Sequence, residues 1–302
     1  MLWIPPPRSG FSRGLGGLLA GLIAAATLHA ASLPTITMAS SGHGQIKGGV
    51  AFGNSVGNWP TGPLVWEAPG SYGQILALPG GYPGSSAQAT AISDDRTIVG
   101  YGPNASGTQV LRWSGSDWTQ VPDQLFSLGN QAQAYGVSEG GRIVGRAKFT
   151  SGGPWRAFKT DEDPSFILQS YALGTFGGTE SWAWDIHDAS GAVGWAHNAQ
   201  GRRRAFYVPI AGTTLQELPR LAGTLGTTYQ GEAYGVTNLG EAVGTIQNDA
   251  NAYRAFYYTP GASAVGDFGL TPLAPGGAPA SQGGARTVAN AISGRGGGGG
   301  QG

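Results

Sequence analysis

The chain has no cysteine, which excludes disulfide scaffolds, thiolate zinc sites and cysteine nucleophiles. It is also poor in charge: Asp, Glu, Lys and Arg make up 11% of its residues, against roughly 25% in an average soluble domain. Basic and acidic groups balance at 17 each, so there is no electrostatic footprint for nucleic acid. Helix signals are scarce outside the N-terminus, because Gly or Pro interrupts every apolar stripe of 3.6-residue period before three turns are complete. No later apolar run reaches the ~20 residues a helix needs to span a bilayer.

What the chain has in abundance is glycine, at 55 of 302 residues. Nine Trp, eleven Tyr and ten Phe supply enough bulk for a core, so the composition is not that of a disordered protein. Residues 1–32 read as a secretory signal. Arg8 and Arg13 form a positive leader, Gly14 to Leu28 is charge-free and rich in Leu, Ala and Gly, and small residues follow at Ala30 and Ala31. The expected protein is secreted or periplasmic, with no membrane span after removal of the signal, and monomeric.

Self-comparison organises the rest. Five twelve-residue segments align without gaps: TMASSGHGQIKG (37–48), ATAISDDRTIVG (89–100), AYGVSEGGRIVG (134–145), AWDIHDASGAVG (183–194) and AYGVTNLGEAVG (233–244). A sixth, ANAISGRGGGGG (289–300), begins correctly and dissolves into glycine. The closing glycines Gly48, Gly100, Gly145, Gly194 and Gly244 are 52, 45, 49 and 50 residues apart. A second landmark follows each closing Gly, as PWRAFKT (154–160), RRRAFYV (202–208) and AYRAFYY (252–258), with weaker forms VLRWSG (110–115) and PLVWEA (63–68). The third is a leucine–glycine turn, ALGTFGG (172–178) being the clearest.

These landmarks read as strands. Ile92, Val137, Ile186 and Val236 each close one short strand, polar residues turn the chain, and a second apolar pair such as Ile143-Val144 opens the next. Gly141 and Gly240 fit the left-handed position of such a hairpin loop, where Ser190 stands in the unit at 183–194. The RAF block is a third strand, and Gln74–Leu78, Ser165–Ala172 and Thr213–Leu218 are fourth strands. Four short antiparallel strands in about fifty residues match the size of a propeller blade. The expectation is an all-β, five-bladed propeller-like repeat array, with a two-sheet sandwich or an open β-array as alternatives. The units fall at 33–88, 89–132, 133–182, 183–232 and 233–288 within one domain at 33–293. A closing strand at 289–293 pairs with the first blade, displacing or extending the Ile36–Ser40 strand, and 294–302 is a disordered glycine-rich tail.

With these motifs the chain resembles the HAF-repeat family of bacterial extracellular proteins. That family carries an A-x-x-I-N-x-x-G-x-V-V-G element, then His-Ala-Phe, then a leucine–glycine–threonine turn. Arg156, Arg204 and Arg254 stand here where the family has His. The resemblance spans about 37–293 and implies export and repeat architecture. It implies no catalytic activity and supplies no site residues.

Chemistry is sparse. Asp185, His187 and Asp188, with His197 nearby, hold the residue types for a divalent metal, but a polar hairpin turn explains them more simply. No metal or cofactor is expected. There is no G-x-S-x-G nucleophile elbow, no D-x-D-x-D-G calcium loop and no phosphate loop. Within Arg202-Arg203-Arg204, Arg204 belongs to the repeat and should stack on an aromatic, whereas Arg202 and Arg203 read as a solvated loop. Trp66 and Trp113 sit at third-strand positions and should be core. Trp59, Trp155, Trp182 and Trp195 fall outside the shared apolar positions and are the candidate binding residues, since a rigid flat ring binds at low entropic cost. The expected function is therefore a non-catalytic exported module that binds a glycan, peptide or surface protein. The alternative is an exported hydrolase or lyase on the same scaffold.

Overall fold

The computed structural model describes residues 55–59, 62–66, 74–78, 87–93, 95–104, 107–114, 123–125, 131–161, 170–223, 226 and 228–268. The signal segment, the Ile36–Ser40 strand, the closing strand at 289–293 and the tail at 294–302 lie outside the described residues. Among the described residues there are strands and no helix.

The strands form five separate antiparallel sheets. Strands β1 (Ser55–Trp59), β2 (Gly62–Trp66) and β3 (Gln74–Ile75) make the first. The second holds β4 (Gln88–Ile92), β5 (Ile98–Asn104), β6 (Gly107–Trp113) and β7 (Asp123–Leu125). The third holds β8 (Gln131–Val137), β9 (Ile143–Lys148), β10 (Arg156–Thr160) and β11 (Ser170–Ala172). In the fourth are β12 (Gly177–His187), β13 (Gly191–Asn198), β14 (Arg203–Pro209) and β15 (Gln216–Glu217). The fifth has β16 (Gly231–Val236), β17 (Ala242–Gln247), β18 (Tyr253–Tyr258) and β19 (Gly266–Asp267). Each is a meander whose strands lie in chain order, and the first strands β4, β8, β12 and β16 lie against one another from sheet to sheet. That is the arrangement of propeller blades around an axis, with the short fourth strands at the outer edge.

Pairing register explains the repeated glycine. Gly145 lies opposite Ala134 on one side and Phe158 on the other, and Gly100, Gly194 and Gly244 hold the same place. A Cβ on Gly145 would sit 1.9 Å from the carbonyl oxygen of Gln133, and on Gly244 it would sit 2.0 Å from that of Glu232. The first strand presses its backbone onto the second at this point, and only Gly leaves room. In the fourth and fifth sheets the aromatic ring of the third strand then covers the glycine, with Phe206 and Phe256 each 2.9 Å or less from the position of the missing Cβ.

The same register corrects the frame of the first repeat. Gly57 faces Leu64 across β1–β2 as Gly100 faces Leu111 across β5–β6. The equivalent glycine is thus Gly57, not Gly48, and β1 takes the place of a second strand. The spacing of the series becomes 43, 45, 49 and 50 residues.

The core lies between the sheets. Val56, Val65 and Leu76 meet Ile92, Leu111 and Trp113, and Val99 and Val110 meet Val137, Ile143 and Phe158. Val144 and Leu173 meet Ile186, Phe206 and Val208, and Val193 and Leu218 meet Val236, Ile246 and Phe256. In each case the third-strand aromatic faces back toward the preceding sheet and is fully buried, which is worth about 2–3 kcal/mol per ring. Trp113 is core as its position implies, and its indole N–H donates to the Ala77 carbonyl at 2.6 Å. A single blade cannot cover both faces, so stability depends on stacking.

Polar groups also cross between blades. The Thr90 hydroxyl donates to Ala134 O at 2.9 Å, and Asp185 accepts from Val236 N at 3.0 Å. The Lys159 ammonium donates to the carbonyls of Ile210 and, at 2.7 Å, of Gly212. The hairpin loops follow the expected chemistry: Gly141 and Gly240 have φ of 80° and 79°, and Arg96 takes the same turn position at 71°. Ser190 closes its turn without positive φ, and its hydroxyl donates to Thr237 O of the next sheet at 2.7 Å.

Candidate functional site

The first strands share a defect. Register shifts by one residue after Ala89, Ala134, Ala183 and Ala233, leaving Thr90, Tyr135, Trp184 and Tyr234 as unpaired bulge residues. Bulges re-aim side chains, and three of these four carry an aromatic ring. Tyr135 and Trp184 have ring centroids 4.8 Å apart, and Trp184 and Tyr234 6.2 Å. Tyr101 extends the row at 6.1 Å from Tyr135. The result is an aromatic chain across sheets two to five.

A second tier joins it. Trp182 and Trp195 are cross-strand partners with centroids 5.5 Å apart, and Trp182 also lies 5.2 Å from Trp184 and stacks on Tyr135 at 5.8 Å and 7°. Such pairs add about 0.5–1.5 kcal/mol each beyond their buried area. The indole N–H groups of Trp182 and Trp184 are buried with no hydrogen-bond partner, an unrelieved cost of about 1–3 kcal/mol each.

Arg146 of β9 enters this tier as a flat cation. Its guanidinium carbon lies 3.6 Å from the Trp182 ring centroid and 4.3 Å from that of Trp155, which precedes β10. Its Nε donates to Gln133 Oε1 at 2.7 Å, and the same oxygen accepts the Tyr135 hydroxyl at 2.7 Å. Burial lowers the Arg146 pKa, opposed by Tyr135, Tyr101 and Glu180. Burial raises the Tyr135 and Tyr101 hydroxyls, with Arg146 pulling each back. Both tyrosines therefore stay neutral donors beside the cation. The Lys148 ammonium lies 5.2 Å from the Trp155 centroid.

The candidate tryptophans divide. Trp155 and Trp182 are half-buried and share Arg146. Trp195 is 1% exposed, with Trp182, His197 at 4.9 Å and Arg203 at 4.5 Å around it. It supports the tier from below and offers no face to a ligand, a correction to its expected role. Trp59 ends β1, and its side chain lies outside what the structure describes, as does that of Trp66.

The other polar candidates are committed elsewhere. Asp185 is buried against the fifth sheet and Asp188 pairs with Arg142 at 2.6 Å, while His187 Nδ1 accepts Ala189 N at 3.1 Å within its own turn. Among the described residues no cluster of three metal-ligating side chains occurs. His197 is lowered by burial, against Glu180 and with Arg203. Arg203 pairs with Glu232 at 2.5 Å and Arg202 donates to Thr228 O at 2.7 Å, so these two bind the fourth sheet to the fifth instead of forming a free loop. Arg204 stacks on Tyr229 at 3.8 Å and reaches Glu217 at 3.4 Å, as its place in the repeat implies. Glu217 and Tyr229 line a groove of about 390 Å3, and there the Tyr229 hydroxyl is already bonded to Glu217 at 2.6 Å.

The sequence concealed Arg146, Lys148, Tyr135 and Trp184. Its one available signal was the second position of the twelve-residue element, aromatic at Tyr135, Trp184 and Tyr234.

No protein-family model matches the chain, and no curated protein matches it. Among solved structures it is similar to a TolB protein from Agrobacterium tumefaciens, with 11% identity over 70% of this chain and 75% of that one, at a TM-score of 0.49. It is also similar to a puromycin-hydrolysing peptidase from Mycobacterium tuberculosis, with 11% identity over 76% of this chain and a TM-score of 0.50. The chain spans 38% of the peptidase's length. At such identity the likeness concerns fold alone, and it is to β-propeller proteins. The chain is a five-bladed, β-propeller-like repeat array.

Proposed function

We propose that this propeller is an exported, HAF-type repeat protein that binds a glycan, peptide or surface partner through the aromatic tier at Trp155 and Trp182. The observation that carries the reading is the half-exposed pair of indoles closed around Arg146. Rings already held by neighbouring groups, Trp182 by Tyr135, Trp184 and Trp195 and Trp155 by Arg146, lose little freedom when a ligand arrives, so contact area converts to affinity at low entropic cost. The signal-like segment at 1–32 supports export, and the recurrence of glycine and RAF positions at equivalent places in successive sheets supports the repeat assignment.

The test is a glycan and polypeptide array probed with the mature protein and with Trp155→Ala, followed by a hydrolysis assay on each hit. Hits that bind wild type, vanish with Trp155→Ala and are returned uncleaved support the reading. Hits that survive the substitution remove this face from the function, and cleavage of a hit replaces binding by catalysis.

A further inference from the structure

The Arg146 guanidinium is held by rings and neutral polar groups, with no carboxylate beside it among the described residues. Nε is bonded to Gln133, the Tyr135 hydroxyl also meets the guanidinium, and the two indoles lie at 3.6 and 4.3 Å. No described carboxylate lies within ion-pair distance. Glu180 acts on Arg146 only through its field. Lys148, two residues along the same face of β9, likewise has no ion-pair partner among the described residues and borders Trp155. Other described arginines are paired with carboxylates: Arg142 with Asp188, Arg203 with Glu232, and Arg204 with Glu217 while it stacks on Tyr229. A preorganised guanidinium without a counter-ion is matched by a carboxylate.

We propose that Arg146 and Lys148, with the neighbouring Trp155 ring, form a recognition site for a uronate-bearing polysaccharide. The inference rests on the reading of this face as the ligand site and names its ligand class. A pyranose ring offers a flat C–H face to the Trp155 indole, and a uronate places a carboxylate at the edge of that same ring, within reach of either cation. An acidic peptide fits less well. Extended peptides dock by adding to a free strand edge, and β9 has none, being paired to β8 and β10 on its two sides. Burial of Arg146 adds to the case, since a cation partly removed from water gains more from an anion than an exposed one does.

Affinity electrophoresis and calorimetry of the full exported chain with three polymers test this: polygalacturonate, its fully methyl-esterified form, and poly-L-glutamate. The expected order is polygalacturonate bound at least tenfold more tightly than either other polymer, with binding weakened by salt. Arg146→Gln should lower polygalacturonate affinity tenfold or more. Lys148→Gln, which removes no hydrogen bond, should lower it about three- to fivefold with melting unchanged. Equal binding of the methyl ester, equal binding of poly-L-glutamate, or full affinity in both variants overturns the proposal. If polygalacturonate fails while array hits still depend on Trp155, the uronate assignment alone falls. Array hits indifferent to Trp155 bring down the face itself.

Discussion

Asp188, in the turn between β12 and β13, holds Arg142 of the preceding sheet: its Oδ1 lies 2.6 Å from Arg142 Nη1, and its Oδ2 accepts Gly140 N at 2.5 Å. Two neighbouring hairpins are tied together by one carboxylate. Burial pushes the Asp188 pKa up, but hydrogen bonds from Ser138, Gly140 and Arg142 and the Arg142 charge outweigh it, and the group titrates below its ordinary range.

That shift sets a pH dependence. A carboxyl whose pKa is lower in the folded chain contributes stability that is fully present above its unfolded value, near 4, and is lost as pH falls through the folded value. Asp188→Asn should therefore lower stability at pH 7 by about 1–2 kcal/mol, the worth of charge-assisted bonds at a partly exposed site. The difference from wild type should shrink as pH falls below 4. Chemical denaturation at pH 7 and pH 3 measures both values, and an equal deficit at the two would show that Asp188 acts without its charge.

Three glycines should fail for two different reasons. Gly145→Ala places a methyl group 1.9 Å from the Gln133 carbonyl, so the first two strands of the third sheet must separate, at roughly 2–3 kcal/mol. Gly141 has open space around it and a φ of 80°. There Gly141→Val costs about 1–3 kcal/mol through the backbone alone. Gly240→Val should cost at least as much, since Pro260 Cγ already lies 3.2 Å from its Cβ position. Melting temperatures equal to wild type would show that the turns and the close approach are built otherwise.

Because β1 holds a second-strand place, the first sheet has no first strand among the described residues. ANAIS (289–293) repeats ATAIS (89–93), which contains most of β4, at four of five positions. Deleting 288–302 is expected to lower the melting temperature by roughly 5–10 °C and to promote aggregation through an exposed sheet edge. Unchanged melting would make that segment an unpaired stub.

Export has its own measurement. The mature N-terminus should lie between Ala25 and Leu33, where small residues follow the apolar run. N-terminal sequencing of exported protein reads it directly, and an intact Met1 chain in the membrane fraction would contradict it.

The repeat was legible because its cause is local and steric. Where a first strand presses on a second, only Gly leaves room and a large apolar residue covers it, so Gly100 and Leu111 return as Gly145 and Phe158, Gly194 and Phe206, then Gly244 and Phe256. The turn glycines Gly141 and Gly240 were legible for a similar reason, since few residues tolerate their φ. The first unit misled because glycines crowd 42–57, and several frames satisfy the pattern there. Only hydrogen-bond register selects Gly57.

The amino-acid sequence by itself determined the strand rhythm, the number of units and the residues that pack between blades, because each depends on spacing along one segment of chain. Which tryptophan is a platform and which a support was decided by tertiary structure alone. Trp182 and Trp195 face each other on adjacent strands, yet Trp195 is sealed by Trp182, His197 and Arg203 while Trp182 stays half open under Arg146. The Arg146 clamp likewise draws Trp155 from one loop, Gln133 from one strand and Trp182 from another sheet. Burial and charge pairing depend on which side chains converge in space, and that convergence exists only once the blades have stacked.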